Sequence, residues 1–143
     1  MSYVVDASVA VKWVVAEPET TKALAFLQHE RPKGLVAPDL LIAEVSNVVW
    51  KKARLGEIDR LQAIEAAYRI GLTMTRFYPS RLLNRRAIEI AMEIDHPVYD
   101  CLYLACAEAE NALLVSLDVR LTKRLSGTRY SKRIIDLRAA TRQ

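Results

Sequence analysis

The sequence predicts an α/β fold in which a central parallel sheet is covered by helices on both faces. Short apolar runs, YVV at Tyr3–Val5, GLVA at Gly34–Ala37 and LLVS at Leu113–Ser116, alternate with longer stretches of helical apolar spacing. Strands buried on both faces read as continuous apolar runs, not as an in–out alternation. The chain is 52% apolar with only four Gly and five Pro, which suits a packed domain and excludes a disordered tail. At 143 residues it is expected to form a single domain spanning 1–143, large enough to bury about two thirds of the surface of its unfolded chain.

Taken in order, Tyr3–Val5 is a strand ending in Asp6, and the apolar run Ser8–Val15 begins a helix that Pro18 breaks. Glu19–Gln28 carries Ala23, Leu24 and Leu27 at helical spacing. The second strand is closed by Pro38. Asp39 is expected to cap a helix reaching Arg54, with Leu41, Val45, Val48 and Val49 inward and Lys51, Lys52 and Arg54 in its last turn. Gly56 ends that helix, and Asp59 starts another, to about Leu72, striped by Ile58, Leu61, Ile64, Ala67 and Tyr68. Thr73–Tyr78 admits a short strand. Ser80 is expected to cap a helix through Ile94, and Pro97 separates it from the next, Tyr99–Glu110. Leu113–Ser116 is a strand, Val119–Leu125 a helix, and Ile134–Leu137 a last strand. No internal repeat or low-complexity segment interrupts this order.

Charge divides the chain unevenly. From Val119 to Gln143 there are eight basic residues (Arg120, Lys123, Arg124, Arg129, Lys132, Arg133, Arg138 and Arg142) against Asp136, a net +7; the preceding 118 residues carry 13 basic and 16 acidic side chains, a net −3. A basic segment on an acidic body suits a polyanion such as nucleic acid; the alternative is a solvated basic face. Apolar runs end well before the ~18 residues a membrane span requires, so no membrane association is expected. The N-terminal MSYVVDAS has no basic region followed by an apolar core, so no signal peptide is expected. Cys101 and Cys106 lie five apart on one helix and suit neither a disulfide nor a metal pair, which points to a cytoplasmic setting.

Four acids stand out. Asp6 and Asp118 each follow a strand and precede a helix, at the carboxyl edge where parallel sheets bind ligands. Asp100 starts a helix. Each of the three is also a plausible helix cap, worth about 1 kcal/mol. Glu44 is different, because it sits within the buried stripe of LLIAEVSNVVW that Leu41, Val45 and Val48 mark, with no Arg or Lys on the same face within a turn. A carboxylate there needs a cation from elsewhere. Four converging carboxylates repel by about 1–4 kcal/mol per pair at about 4 Å. A hard divalent cation, Mg²⁺ or Mn²⁺, removes that conflict. Ser8 and Ser116, each two residues from an acid, are candidates to support the site, ordinary turn hydrogen bonds being the alternative. His29 and His96 read as surface or loop residues, and no serine elbow, P-loop or dinucleotide turn is present.

In this order, VVDAS around Asp6, APDLLIAEVSNVVW around Glu44, VYDCLYLACAEAENALLVS around Asp100 and SLDVRL around Asp118 resemble the four acidic motifs of the PIN domain family, specifically its VapC ribonuclease toxins. The resemblance spans essentially the whole chain. It implies a PIN-like, Rossmann-like three-layer α/β/α sandwich, a Mg²⁺ or Mn²⁺ cofactor held by Asp6, Glu44, Asp100 and Asp118, and support from Asn47. It also implies a homodimer and inhibition by a cognate VapB-like antitoxin. Ser116 stands where Thr is common in the family, and the hydroxyl is retained.

The expected activity is endoribonuclease hydrolysis of an RNA phosphodiester, by in-line attack of a metal-bound water. Arg120, Lys123 and Arg124, on the helix after Asp118, are candidate RNA phosphate contacts. A HAD-type phosphatase needs a second Asp where Ser8 stands, and a receiver domain needs a late-strand Lys that is missing. The remaining alternative is a catalytically silent PIN-like module that binds RNA or protein. Trp13 and Trp50 are candidates to line a groove for a partner helix, core burial being the other reading.

Overall fold

Five short strands, none longer than four residues, run side by side in one direction: β1 (Tyr3–Val5), β2 (Leu35–Pro38), β3 (Arg76–Tyr78), β4 (Leu113–Ser116) and β5 (Ile134–Asp136). They occur in a computed structural model that describes residues 2–140. The sheet order is β3-β2-β1-β4-β5. Its helices are α1 (Ala7–Val14), α2 (Thr20–Glu30), α3 (Leu40–Arg54), α4 (Arg60–Ile70), α5 (Ser80–Ile94), α6 (Val98–Glu110), α7 (Val119–Leu125) and α8 (Leu137–Ala140). This is the expected three-layer α/β/α arrangement. The Ala-rich α6 lies across β1, β2 and β4 with α5 packed on it, while α1 gathers α2, α3 and α4, and α8 packs on α2. No helix among the described residues is long and apolar enough to cross a membrane.

The central strand β1 is flanked by β2 and β4, and Val4 and Val5 on it are fully buried. The chain leaves β1 toward β2 on one side and arrives at β4 on the other, so the order reverses here. All strands being parallel, Asp6, Ser116 and Asp136 share one edge, with Val5 beside Val115 and Ser116 beside Asp136. A crevice opens at such a reversal, outside the carboxyl ends of the strands.

Several expectations are corrected. Asp39 precedes α3 but does not cap it. Its own backbone is helical there, and its carboxylate turns to the start of α5, where Oδ1 accepts from the Ser80 amide at 3.1 Å and from the Ser80 hydroxyl. Ser80 is accordingly the first residue of α5, not its cap. The α4 stripe faces outward: Leu61, Ile64 and Tyr68 are 77%, 54% and 66% exposed, while Ala66 and Ile70 face the body. Small residues on the inner side let α4 approach α1 and α3, and the bulky stripe is left outside.

The basic C-terminal segment is largely folded back. Arg124 donates to the Ile94 and Asp95 carbonyls at the end of α5, Arg133 to the Ala112 carbonyl, and Arg129 forks onto Glu93. Arg138 pairs with Asp136 at 2.7 Å, and Arg142 lies outside the described residues. Lone carbonyls at a helix C-terminus attract cations, which accounts for Arg124.

Candidate functional site

Asp6 is positioned by β1 and α1 together. The apolar strand runs into the sheet centre, and the first residue beyond it turns to cap α1, its carboxylate accepting from the Ser8 amide at 3.0 Å and the Val9 amide at 3.4 Å. Two serine hydroxyls complete the shell: Ser8 Oγ donates to Oδ1 and Ser116 Oγ to Oδ2, each at 2.5 Å. The same oxygens accept from the next turn of chain, Ser8 Oγ from the Leu117 amide at 2.8 Å and Ser116 Oγ from the Asp118 amide at 3.0 Å. Ser8 and Ser116 therefore splice the end of β1 to the loop after β4. Burial pushes the Asp6 carboxyl up to about 6, against the pull of its hydrogen bonds to Ser116, Ser8 and Val9; the negative charge of Asp100 adds to the rise.

Asp118 caps α7, with Oδ1 accepting from the Arg120 and Leu121 amides at 3.0 and 3.2 Å. Asp100 sits in the first turn of α6, its Oδ2 2.7 Å from Nε2 of His96. Glu44 lies in the second turn of α3, half-buried at the margin of the inward stripe, not within it. Its Oε1 accepts from the Tyr103 hydroxyl at 2.5 Å. Burial raises the Glu44 carboxyl, the Tyr103 hydrogen bond lowers it, and Asp100 raises it further.

The charge of Asp100 thus reaches both Asp6 and Glu44, and the backbone amide of Asp118 is tied to Asp6 through the Ser116 hydroxyl. Yet among the described residues no three His, Cys, Asp or Glu side chains converge closely enough to hold one metal ion as they stand. Carboxylates without a counter-ion are expected to stand apart. The donor set nevertheless fits a hard divalent cation. Glu44, Asp100 and Asp118 each have one oxygen anchored and the other without a hydrogen bond among the described residues. Cys101, next to Asp100, offers no thiolate, because burial pushes its thiol up to about 11. Oxygen ligands completed by waters are what Mg²⁺ and Mn²⁺ take.

The other candidates separate. Asn47 is exposed and touches none of the four carboxylates through a hydrogen bond among the described residues. Arg120 and Lys123 are exposed and form no ion pair among the described residues, whereas Arg124 is engaged with the end of α5. Trp13 is buried, its indole donating to the Ala23 carbonyl at 2.7 Å, while Trp50 is exposed with Arg54 over its ring.

Two residues escape the sequence reading. His96 is not an ordinary loop residue, since it holds Asp100, and its place four residues before that acid was the available signal. Tyr103, three residues after Asp100, is buried, and its phenol is pushed up by burial and then by the charges of Glu44, Asp6 and Asp100. A tyrosine hydroxyl buried at helical spacing from an acid carries a similar signal.

Residues 3–125 match the model of the PIN domain family. Ribonuclease VapC9 of Mycobacterium tuberculosis is 31% identical over 122 residues, covering 83% of this chain and 87% of that protein. Among solved structures, PAE2754 from Pyrobaculum aerophilum superposes with a TM-score of 0.72 at 26% identity, covering 99% of this chain and 93% of its own. VapBC2 from Rickettsia felis, solved with a DNA fragment from its promoter, superposes at 0.62 and 14% identity over 95% of this chain and 98% of its own, a likeness of fold.

Proposed function

The chain belongs to the PIN domain family, among its VapC ribonucleases, and from that premise we propose that it is a metal-dependent endoribonuclease, the toxin of a VapBC-type toxin–antitoxin pair. One observation supports this above the others: Asp6 and Asp118 follow the two central strands at the reversal point of the sheet, the charge of Asp100 reaches both Asp6 and Glu44, and each of the four carboxylates is held by its own hydrogen bond.

In this reading Asp6, Glu44, Asp100 and Asp118 hold Mg²⁺ or Mn²⁺, which when bound supplies activation of water and neutralises charge on the phosphodiester oxygens. Ser8 and Ser116 keep both oxygens of Asp6 aimed at the site, and His96 keeps Asp100 in place. Asn47 stands one turn along α3 from Glu44 as a supporting side chain. Arg120 and Lys123, free of intramolecular ion pairs among the described residues, receive RNA phosphates beside Asp118.

The partner reading rests on the VapBC relatives and on a surface suited to a peptide. Trp13, Val14, Leu27, Arg31, Arg69 and Leu72 line a groove of ≈ 270 Å³, and α4, which contributes Arg69 to it, also carries the outward apolar stripe. An amphipathic segment of a VapB-like antitoxin suits such a surface. The chain works as one PIN domain over residues 1–143, as a homodimer, in the cytoplasm.

Asp100→Asn is the deciding variant: it should fold, lose the stabilisation that Mn²⁺ confers on the wild type, and cleave RNA at least about 10²-fold more slowly. Wild-type cleavage by a folded Asp100→Asn protein would sink the assignment. Stabilisation of the wild type by Mn²⁺ without cleavage of any RNA would favour a silent binding module.

A further inference from the structure

We propose that Tyr103 is a positioning residue, holding Glu44 at the metal site without itself touching metal or RNA. The inference rests on the metal-dependent reading above. The four acids differ in how they are held. Asp6 is gripped by two hydroxyls and two amides, Asp118 by two amides of its own helix, and Asp100 by a histidine one turn away. Glu44 has the longest side chain of the four and nothing local to hold it. Its hydrogen bond comes from another element, the Tyr103 hydroxyl on α6, 59 residues on in sequence and 2.5 Å away.

The location of Tyr103 suits this task. Its ring is almost completely buried, so the hydroxyl has little freedom to follow a moving partner. It stands three residues after Asp100, hence on the same side of α6, and the charges of Glu44, Asp6 and Asp100 all reach it. The donor is also neutral. An Arg or Lys in its place would orient Glu44 but neutralise the charge that attracts a divalent ion. A phenol orients one oxygen and leaves the carboxylate charge and Oε2 for the metal. Partners behind metal ligands typically alter affinity 10–100-fold when removed.

A competing explanation is that Glu44 serves Tyr103, giving a buried hydroxyl its acceptor. A double-mutant cycle on the full-length chain separates the two. Mn²⁺ affinity is measured by calorimetry for the wild type, Tyr103→Phe, Glu44→Gln and the double variant, and melting is recorded in EDTA. Phe keeps the ring and removes only the hydroxyl. Tyr103→Phe should weaken Mn²⁺ binding about 10-fold. In the Glu44→Gln background the same change should alter affinity by less than about two-fold, because a residue acting through Glu44 has nothing left to act on. RNA cleavage by Tyr103→Phe should recover at saturating Mn²⁺.

Unchanged Mn²⁺ affinity in Tyr103→Phe would overturn the proposal, as would an equal loss in both backgrounds. So would a metal-free midpoint lowered by more than about 10 °C, or failure to fold, either of which marks the hydroxyl as part of the core. A wild-type chain that binds no Mn²⁺ would remove the metal-dependent reading and this one with it. Normal wild-type binding with any of the other adverse results removes only the role of Tyr103.

Discussion

The hydroxyl of Ser116 donates to Oδ2 of Asp6 at 2.5 Å across 110 residues of sequence. It joins the ends of two adjacent parallel strands, and it does so at the one place where the strand order reverses. The same oxygen accepts from the Asp118 amide, so a single buried side chain sets the relation between two of the four acids.

Removing that hydroxyl should be costly. Ser116→Ala takes a charge-assisted hydrogen bond from a buried carboxylate and leaves the Asp118 amide without its acceptor. A loss of about 2 kcal/mol is expected at neutral pH without metal. Urea unfolding of the two proteins at pH 7 in EDTA measures it, and equal stabilities would show that Ser8 alone suffices.

Asp6 gives the metal-free chain an inverted acid response. Its carboxyl is raised from 3.8 to about 6 by burial, so the folded state binds a proton more tightly than the unfolded chain. The stability that proton confers is complete below about pH 4 and is lost as pH rises through about 6. The difference corresponds to about 3 kcal/mol. Asp6→Asn should therefore stabilise the metal-free protein at pH 7 by about 2–3 kcal/mol and flatten the change in stability between pH 7 and pH 5. It should also abolish RNA cleavage. A variant with the wild-type pH slope would place the titration on another group.

The basic residues of α7 should divide into two classes. Arg120→Ala and Lys123→Ala should raise KM for RNA with an unchanged melting midpoint, each lowering the salt slope of binding by about 0.7. Arg124→Ala should instead lower the midpoint, because its guanidinium binds the carbonyls at the end of α5. Filter binding at several salt concentrations, beside thermal melts, separates the classes.

Asp39 tests a cap displaced from its own helix. Asp39→Ala should destabilise the fold by about 1 kcal/mol through the exposed first turn of α5 and leave RNA cleavage unchanged. Asp39→Asn, which keeps an acceptor oxygen, should recover most of the loss. Equal melting of Asp39→Ala and the wild type would show the contact to be energetically idle.

Local chemistry was enough to read the alternation of strands and helices. Short apolar runs such as YVV, before a helix, and LLVS, between two helices, read as buried strands, and Asp59 with Gln62 forms the capping box that its position announces. Asp6 and Asp118 were likewise legible as strand-end acids, because a residue between a strand and a helix is confined to the carboxyl edge of a parallel sheet. The chain segments around all four acids, taken in order, were enough to indicate the family.

Rotation and sheet order decided the rest. Whether Leu61, Ile64 and Tyr68 face in or out depends on which side of α4 meets its neighbours, and a periodic stripe is the same either way. That Asp39 serves α5, that Arg124 closes it, and that Tyr103 meets Glu44 are contacts between segments 30 to 59 residues apart. Spacing along the chain says which side chains share a face of one element. Which faces then meet is set by packing the whole core at once, and that packing brought Asp100 within electrostatic reach of both Asp6 and Glu44.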